Sequence, residues 1–244
     1  MRNLLLTISF DGSRYHGWQV QENAITVQQT MQDAIERITG SRGNIVGCSR
    51  TDAGVHANMY CCNIRTESEI ECSKFVTALN AVLPEDISVM KCREVDFEFH
   101  ARYDCKSKEY IYKIWNSPVK NPFLHKYSYQ HKYPLDEEFL NRQAKQFIGT
   151  CDFSAFCASG SSVEDTVRTV TNAEVYREGD MVIFKVEANG FLYNMVRIMV
   201  GTLLDISAGK IKPDTIDEIL LSKDRNRAGI TAKPEGLYLN RIVY

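Results

Sequence analysis

Residues 109–116 read EYIYKIWN, a run of β-branched and aromatic side chains that predicts a strand. The run decides the fold because it reopens a pattern the chain has already completed once. Upstream, Leu4, Leu6, Ile8 and Phe10 alternate along a first strand, and Asp11-Gly12-Ser13 turns the chain. Thr26-Val27-Gln28-Gln29 then has the form of a capping box, opening a helix that carries Val27, Met31, Ala34, Ile35 and Ile38 and stops at Gly40. Strands over 60–66 and 87–95 flank a second helix, expected from Ser73, with Phe75, Val76, Leu79 and Val82 before Pro84.

Downstream of residue 105 helices and strands alternate again. A helix is predicted over 135–148, with Phe139, Leu140, Ala144 and Phe147 on one face and Gly149 at its end. A hairpin over 170–176 and 181–187 turns at Glu178-Gly179-Asp180, with Val182, Phe184 and Val186 on its drier face. The most hydrophobic helix is expected over 191–207, Pro213 opens a short last helix, and 238–244 is a closing strand. Strands beside helices without strict βαβ alternation predict an α+β fold. The expected division is an N-terminal half over 1–105 and a C-terminal half over 106–244, with no Pro/Gly/Ser-rich linker and a cleft between them.

The chain has 244 residues, 44% hydrophobic and 25% charged, which suffices for a large core. No stretch approaches the ~20 apolar residues of a membrane span. The opening 1–13 has the alternation of a strand and lacks the cleavage site of a secretory leader, so a cytoplasmic protein is expected. Eight cysteines are scattered without CxxC pairs or His clusters, which points to reduced thiols in the core and to no metal site. A net charge of −2 argues against a protein that coats nucleic acid. It leaves room for a local basic strip, because phosphate attraction acts over a Debye length of ~8 Å. Three strips stand out: Lys106, Lys108 and Lys113; Lys120, Lys126 and Lys132; and Lys223, Arg225 and Arg227.

The chemistry-bearing stretch is SRTDAGVHA, residues 49–57. Asp52 stands two residues after Arg50, and Ala53 and Gly54 behind it let another molecule approach closely. A second carboxylate for glycosidase chemistry is not singled out among Asp11, Asp86 and Glu109. His56 reads either as a base or as a hydrogen-bonded structural residue, and Cys48 with His56 as a thiol–imidazole pair that nothing orients. Arg197 interrupts the apolar run GFLYNMVRIMVG, residues 190–201, where an unmatched guanidinium costs several kcal/mol, roughly. It needs a partner, with Asp52 a candidate, unless it snorkels to solvent. Tyr110 and Tyr112 share one strand face, either as packing residues or as a ring platform for a base, worth ~1–3 kcal/mol.

These runs occur in order with FDGSRYHGWQ (10–19), FHARYDCKSKEYIYKIWN (99–116) and TAKPEGLYL (231–239). Together they resemble the A-type tRNA pseudouridine synthases over nearly the whole chain. The resemblance implies two RRM-like α/β half-domains with antiparallel sheets joined side by side around a central cleft. It implies a homodimer that acts on tRNA without metal or organic cofactor, isomerising uridines of the anticodon stem-loop at positions 38 to 40. Carried over residue by residue, it makes Asp52 the catalytic aspartate, Tyr110 the ring that stacks on the target uracil, and Arg197 the partner of Asp52. Arg50 would displace and guide the flipped nucleotide. Ser49 stands where the family commonly has Gly, and ANMYCCNIRT (57–66) departs from the usual strand; both bear on substrate choice. The competing expectation is a protein that binds or folds RNA without catalysis.

Overall fold

The computed structural model describes residues 1–160 and 163–244, which divide into two compact units, Met1–Lys106 with Tyr238–Tyr244, and Ser107–Leu237. Each is an α/β unit whose strand pairings are mostly antiparallel. The expected division assigned everything after residue 105 to one half; the last seven residues instead cluster with the first unit.

In the first unit β1 (Arg2–Phe10) lies between β3 (His56–Thr66) and β4 (Ile87–Val95), antiparallel to both. The alternation of Leu4, Leu6 and Ile8 puts all three in the core, each at 0% exposure. β2 (Ile45–Gly47) pairs with β3, and so does β10 (Leu237–Val243), in parallel through Tyr238↔His56 and Leu239↔Ala57. The helix α1 (Val27–Thr39) forms as the capping residues dictate: the Thr26 side chain accepts from the Gln29 N–H at 3.4 Å, and Gly40 takes φ +74° at the far end. α2 (Cys72–Val82) buries Phe75 and Leu79 and ends before Pro84.

In the second unit β5 (Ser107–Asn116) pairs with β9 (Met181–Ala188), which pairs with β8 (Val167–Glu178), which pairs with β7 (Gly149–Asp152). A short strand β6 (Tyr129–His131) lies parallel to β5. Val182, Phe184 and Val186 are essentially fully buried, as their alternation predicts. The helix α3 (Glu137–Lys145) is shorter than expected at both ends; its start is set by Asp136, whose side chain accepts from the Phe139 N–H at 2.9 Å, and it closes at Gln146.

The apolar helix α4 (Met195–Ser207) also starts later than its hydrophobicity suggests, because Asn194 takes a left-handed φ of 59° and ends the preceding turn. Its burial is nearly all-round, from Met195 to Ile206, with Arg197 only half-buried. The last helix, α5 (Ile216–Ser222), begins beyond Pro213, past a left-handed Asp214 at φ 57°.

Candidate active site

The turn bearing Asp52 is held from beneath by residues 12–18. The Trp18 N–H donates to the Thr51 carbonyl at 3.2 Å, and the Gly54 N–H to the Tyr15 carbonyl at 3.2 Å. Within the turn the Val55 N–H donates to the Asp52 carbonyl at 3.2 Å, and Gly54 takes φ +78°. Two glycines make this approach possible. A Cβ on Gly12 would lie 1.9 Å from the Val55 carbonyl oxygen, and one on Gly17 2.2 Å from that of Thr51. Trp18 stacks on Tyr60 with centroids 4.2 Å apart, and the Tyr60 hydroxyl donates to the Ser49 carbonyl. The turn is therefore fixed at Ser49, Thr51 and Gly54, with Asp52 half-buried and Arg50 exposed. The Thr51 hydroxyl is buried without a hydrogen-bond partner, a local cost of about 1–3 kcal/mol.

His56 sits behind the turn at 1% exposure, stacked on Tyr238 at 4.6 Å. Its Nδ1 lies 3.1 Å from the Gly12 N–H and 3.2 Å from Asp11 Oδ1. One ring nitrogen cannot accept from the first and donate to the second at once. The Gly12 bond, with the proton on Nε2, fits better, because Asp11 Oδ1 already accepts from the N–H and hydroxyl of Ser13 at 2.8 and 2.6 Å. The structural reading of His56 holds. Cys48 is fully buried, which leaves no accessible thiol–imidazole pair. Asp86 also serves the turn, accepting from the Tyr15 hydroxyl at 2.6 Å with Arg14 3.3 Å away. Burial and the Asp86 charge push the Tyr15 phenol well above its ordinary range.

The departing strand segment is mostly core: Ala57, Tyr60, Cys61, Cys62, Asn63 and Ile64 are buried. Asn63 donates to Asn3 Oδ1 and accepts from the Ala101 N–H, each at 2.9 Å.

In the second unit the bonds that hold Arg197 include two to fixed acceptors. Its Nε donates to the Ala232 carbonyl at 2.7 Å and its Nη1 to Asn194 Oδ1 at 2.7 Å. The strap that supplies Ala232 is itself tied along α4. The Gly229 N–H donates to the Thr202 hydroxyl at 2.8 Å, the Ile230 N–H to Asp205 Oδ2 at 3.2 Å, and the Ala232 N–H to the Arg197 carbonyl at 3.0 Å. Asn194 and Ala232 were not singled out by the sequence. A polar residue one turn from Arg197 could have signalled the first; nothing local signals a backbone carbonyl. Tyr110 is 5% exposed and meets Phe191 edge-on at 5.0 Å and 81°, while the Tyr112 hydroxyl donates to the Lys233 carbonyl at 2.7 Å.

Among the described residues no group of three or more His, Cys, Asp or Glu could hold a metal ion, and no helix is long and apolar enough to cross a membrane.

The first unit thus presents a carboxylate on a clamped turn with small residues behind it, and the second a guanidinium held by a backbone carbonyl and an amide, residue types on which an enzyme can build its chemistry. The chain belongs to the tRNA pseudouridine synthase family, whose model matches residues 6–104 and 143–244. It is 49% identical to the tRNA pseudouridine synthase A of Thermoanaerobacter sp. (strain X514) over 100% of both chains. It is 48% identical to that of Acetivibrio thermocellus and 42% to that of Clostridium acetobutylicum, again over 100% of both chains.

Proposed function

We propose that this protein isomerises uridine to pseudouridine in the anticodon stem-loop of tRNA, with Asp52 as the attacking carboxylate. The observation that carries the reading is the clamped 51–55 turn, which holds Asp52 half-buried beside the exposed Arg50 in a chain of this family. The target uridine must leave its stack first, at a cost of a few kcal/mol, roughly. Arg50 is assigned to displacing and guiding that nucleotide, and Tyr110, braced by Phe191, to stacking on the uracil. Asp52 then adds to the sugar C1′ as its bond to N1 breaks, or to the ring before that bond breaks; the uracil turns, C5 bonds to C1′, the bond to Asp52 breaks, and C5 loses its proton while N1 gains one. Dividing the reaction at a covalent adduct replaces one hard step by easier ones. Arg197, held by the Ala232 carbonyl and Asn194 Oδ1, is assigned the paired cation of the same chemistry. The molecule is read as a cytoplasmic homodimer, its mass to be checked by sedimentation.

Asp52→Asn tests the assignment. Incubated with unmodified tRNA and analysed by chromatographic separation of the nucleosides of the digested RNA, with mass detection, the variant is expected to yield no pseudouridine while binding tRNA with little change. Retained turnover would remove Asp52 from the chemistry. An unaltered protein that binds tRNA and never modifies it would establish the non-catalytic alternative.

A further inference from the structure

Between the two stretches that match the family lies a segment with its own character. Residues 117–135, SPVKNPFLHKYSYQHKYPL, hold three lysines, two histidines, three tyrosines and a phenylalanine, and no acid. The segment helps line a cavity of about 570 Å³ in the second unit, whose wall includes Trp115, Lys120, His125, Gln130, Lys233 and Glu235. A volume in this range suits a ligand of nucleotide size.

We propose that this cavity is a second RNA subsite, taking one single-stranded nucleotide other than the isomerised uridine, with its phosphate on Lys120 and Lys233 and its base against Trp115. The wall is organised in advance, so little order is left to impose on binding. The Trp115 Nε1–H donates to the Val119 carbonyl at 3.0 Å, fixing the ring, and Gln130 Nε2 donates to the Ser117 carbonyl at 2.5 Å. His125 Nδ1 lies 2.8 Å from the Pro122 carbonyl; as donor there, it leaves Nε2 as an acceptor.

Glu235 decides between a bare anion and a nucleotide. A carboxylate in a phosphate pocket is repulsive, whereas beside a base it accepts from an exocyclic amino group, as acidic side chains do from cytosine. The favoured occupant is therefore an amino-bearing base such as cytosine. The subsite also adjoins the Arg197 anchor: Lys233 and Glu235 line the cavity, while the carbonyl of the preceding Ala232 holds the guanidinium.

The inference rests on the RNA-modifying reading, but its test involves no chemistry. The full chain is titrated with a single-stranded RNA of six cytidines, which contains no uridine to isomerise. Quenching of tryptophan emission is expected and should vanish in Trp115→Phe, because the other tryptophan, Trp18, is 3% exposed and stacked on Tyr60. In a Lys120→Ala/Lys233→Ala variant the affinity should fall at least tenfold, and the slope of log affinity against log salt should flatten by about 0.7, the value for one phosphate on a single strand. Glu235→Gln should leave that slope unchanged while removing the preference for six cytidines over six uridines. Absence of quenching, equal quenching in Trp115→Phe, or unchanged affinity in the folded double-lysine variant would overturn the subsite. So would a double-lysine variant whose defect is in sedimentation mass, which would mark a protein-docking face. Failure to form pseudouridine sinks the parent reading and leaves these binding results standing; the reverse outcome sinks only the subsite.

Discussion

Arg197 shows how much a single side chain depends on its two neighbours. Its Nε and Nη1 point at fixed acceptors, the Ala232 carbonyl and Asn194 Oδ1, each at 2.7 Å. An ammonium keeps the charge but cannot reproduce this planar fork. Arg197→Lys is therefore expected to lower kcat by about 100-fold, since a misplacement of an ångström at a reacting group costs that much. Steady-state kinetics with tRNA checks this, and circular dichroism confirms the fold. A second single-residue effect concerns acid stability. The Thr166 hydroxyl, at 2.6 Å, and the Lys223 ammonium, at 2.9 Å, hold the Asp152 carboxyl well below its ordinary range. A depressed folded pKa means this stabilisation is present above the unfolded value near pH 4 and disappears as pH falls toward the folded one. Urea midpoints of the native chain should therefore drop between about pH 4 and pH 2, and Asp152→Asn should flatten that part of the curve. The cysteines make a third case. Burial pushes the Cys61 and Cys62 thiols up, and burial together with a Cys72 hydrogen bond carries Cys92 up to about 12. Iodoacetamide near neutral pH should leave pseudouridine formation intact; inactivation with labelling at Cys48 would revive a thiol mechanism.

At the scale of an element, the Asp52 turn exists because two glycines let residues 12–18 lie against it. Gly17 at φ +80° would bring a Cβ 2.2 Å from the Thr51 carbonyl oxygen. Gly17→Ala is thus expected to destabilise the unit by about 1–3 kcal/mol, from overpacking and backbone strain together. It should lower kcat by more than tenfold by shifting Asp52, and a normal kcat at reduced melting temperature would show that the turn tolerates movement. The same comparison separates what the chain reveals locally from what it does not. The Thr26 cap and the Gly40 stop act within one turn of helix, and both were legible as residue types at fixed spacing. The start of α4 was not, since hydrophobicity continues through residues 191–194 while the backbone breaks at a left-handed Asn194. Gly12 gave only a turn signal; its approach to Val55 and its N–H bond to a histidine 44 residues away depend on the tertiary fold. Likewise Asp52 and Arg197 stood out as an acid on a turn and a charge in an apolar run. The carbonyl of Ala232 carries no side-chain signature and could only be found in the structure.

Across the whole molecule, the chain ends by returning to its beginning. Residues 238–244 read as a closing strand, but no local pattern names the strand they join. That partner is β3, which follows directly on the Asp52 turn and meets β10 in parallel through Tyr238↔His56 and Leu239↔Ala57. Further contacts secure the return. Tyr238 stacks on the buried His56 at 4.6 Å, the Lys106 N–H donates to the Val243 carbonyl at 2.8 Å, and the Tyr244 hydroxyl donates to the Ala101 carbonyl at 2.9 Å. Removing residues 238–244 therefore strips β3 of a partner strand and uncovers the ring that holds Gly12 beneath the Asp52 turn. Unpaired backbone and an exposed apolar edge are both costly. Amide hydrogen exchange should show protection falling along His56–Thr66 and Arg2–Phe10 in the truncated chain. The milder Tyr238→Ala should lower the melting temperature and the turnover together, because the loss of a large buried ring costs about 3–5 kcal/mol. If exchange along β3 stays as slow without the last strand as with it, the C-terminal residues do not support the turn, and the stability of the Asp52 loop must come from residues 12–18 alone.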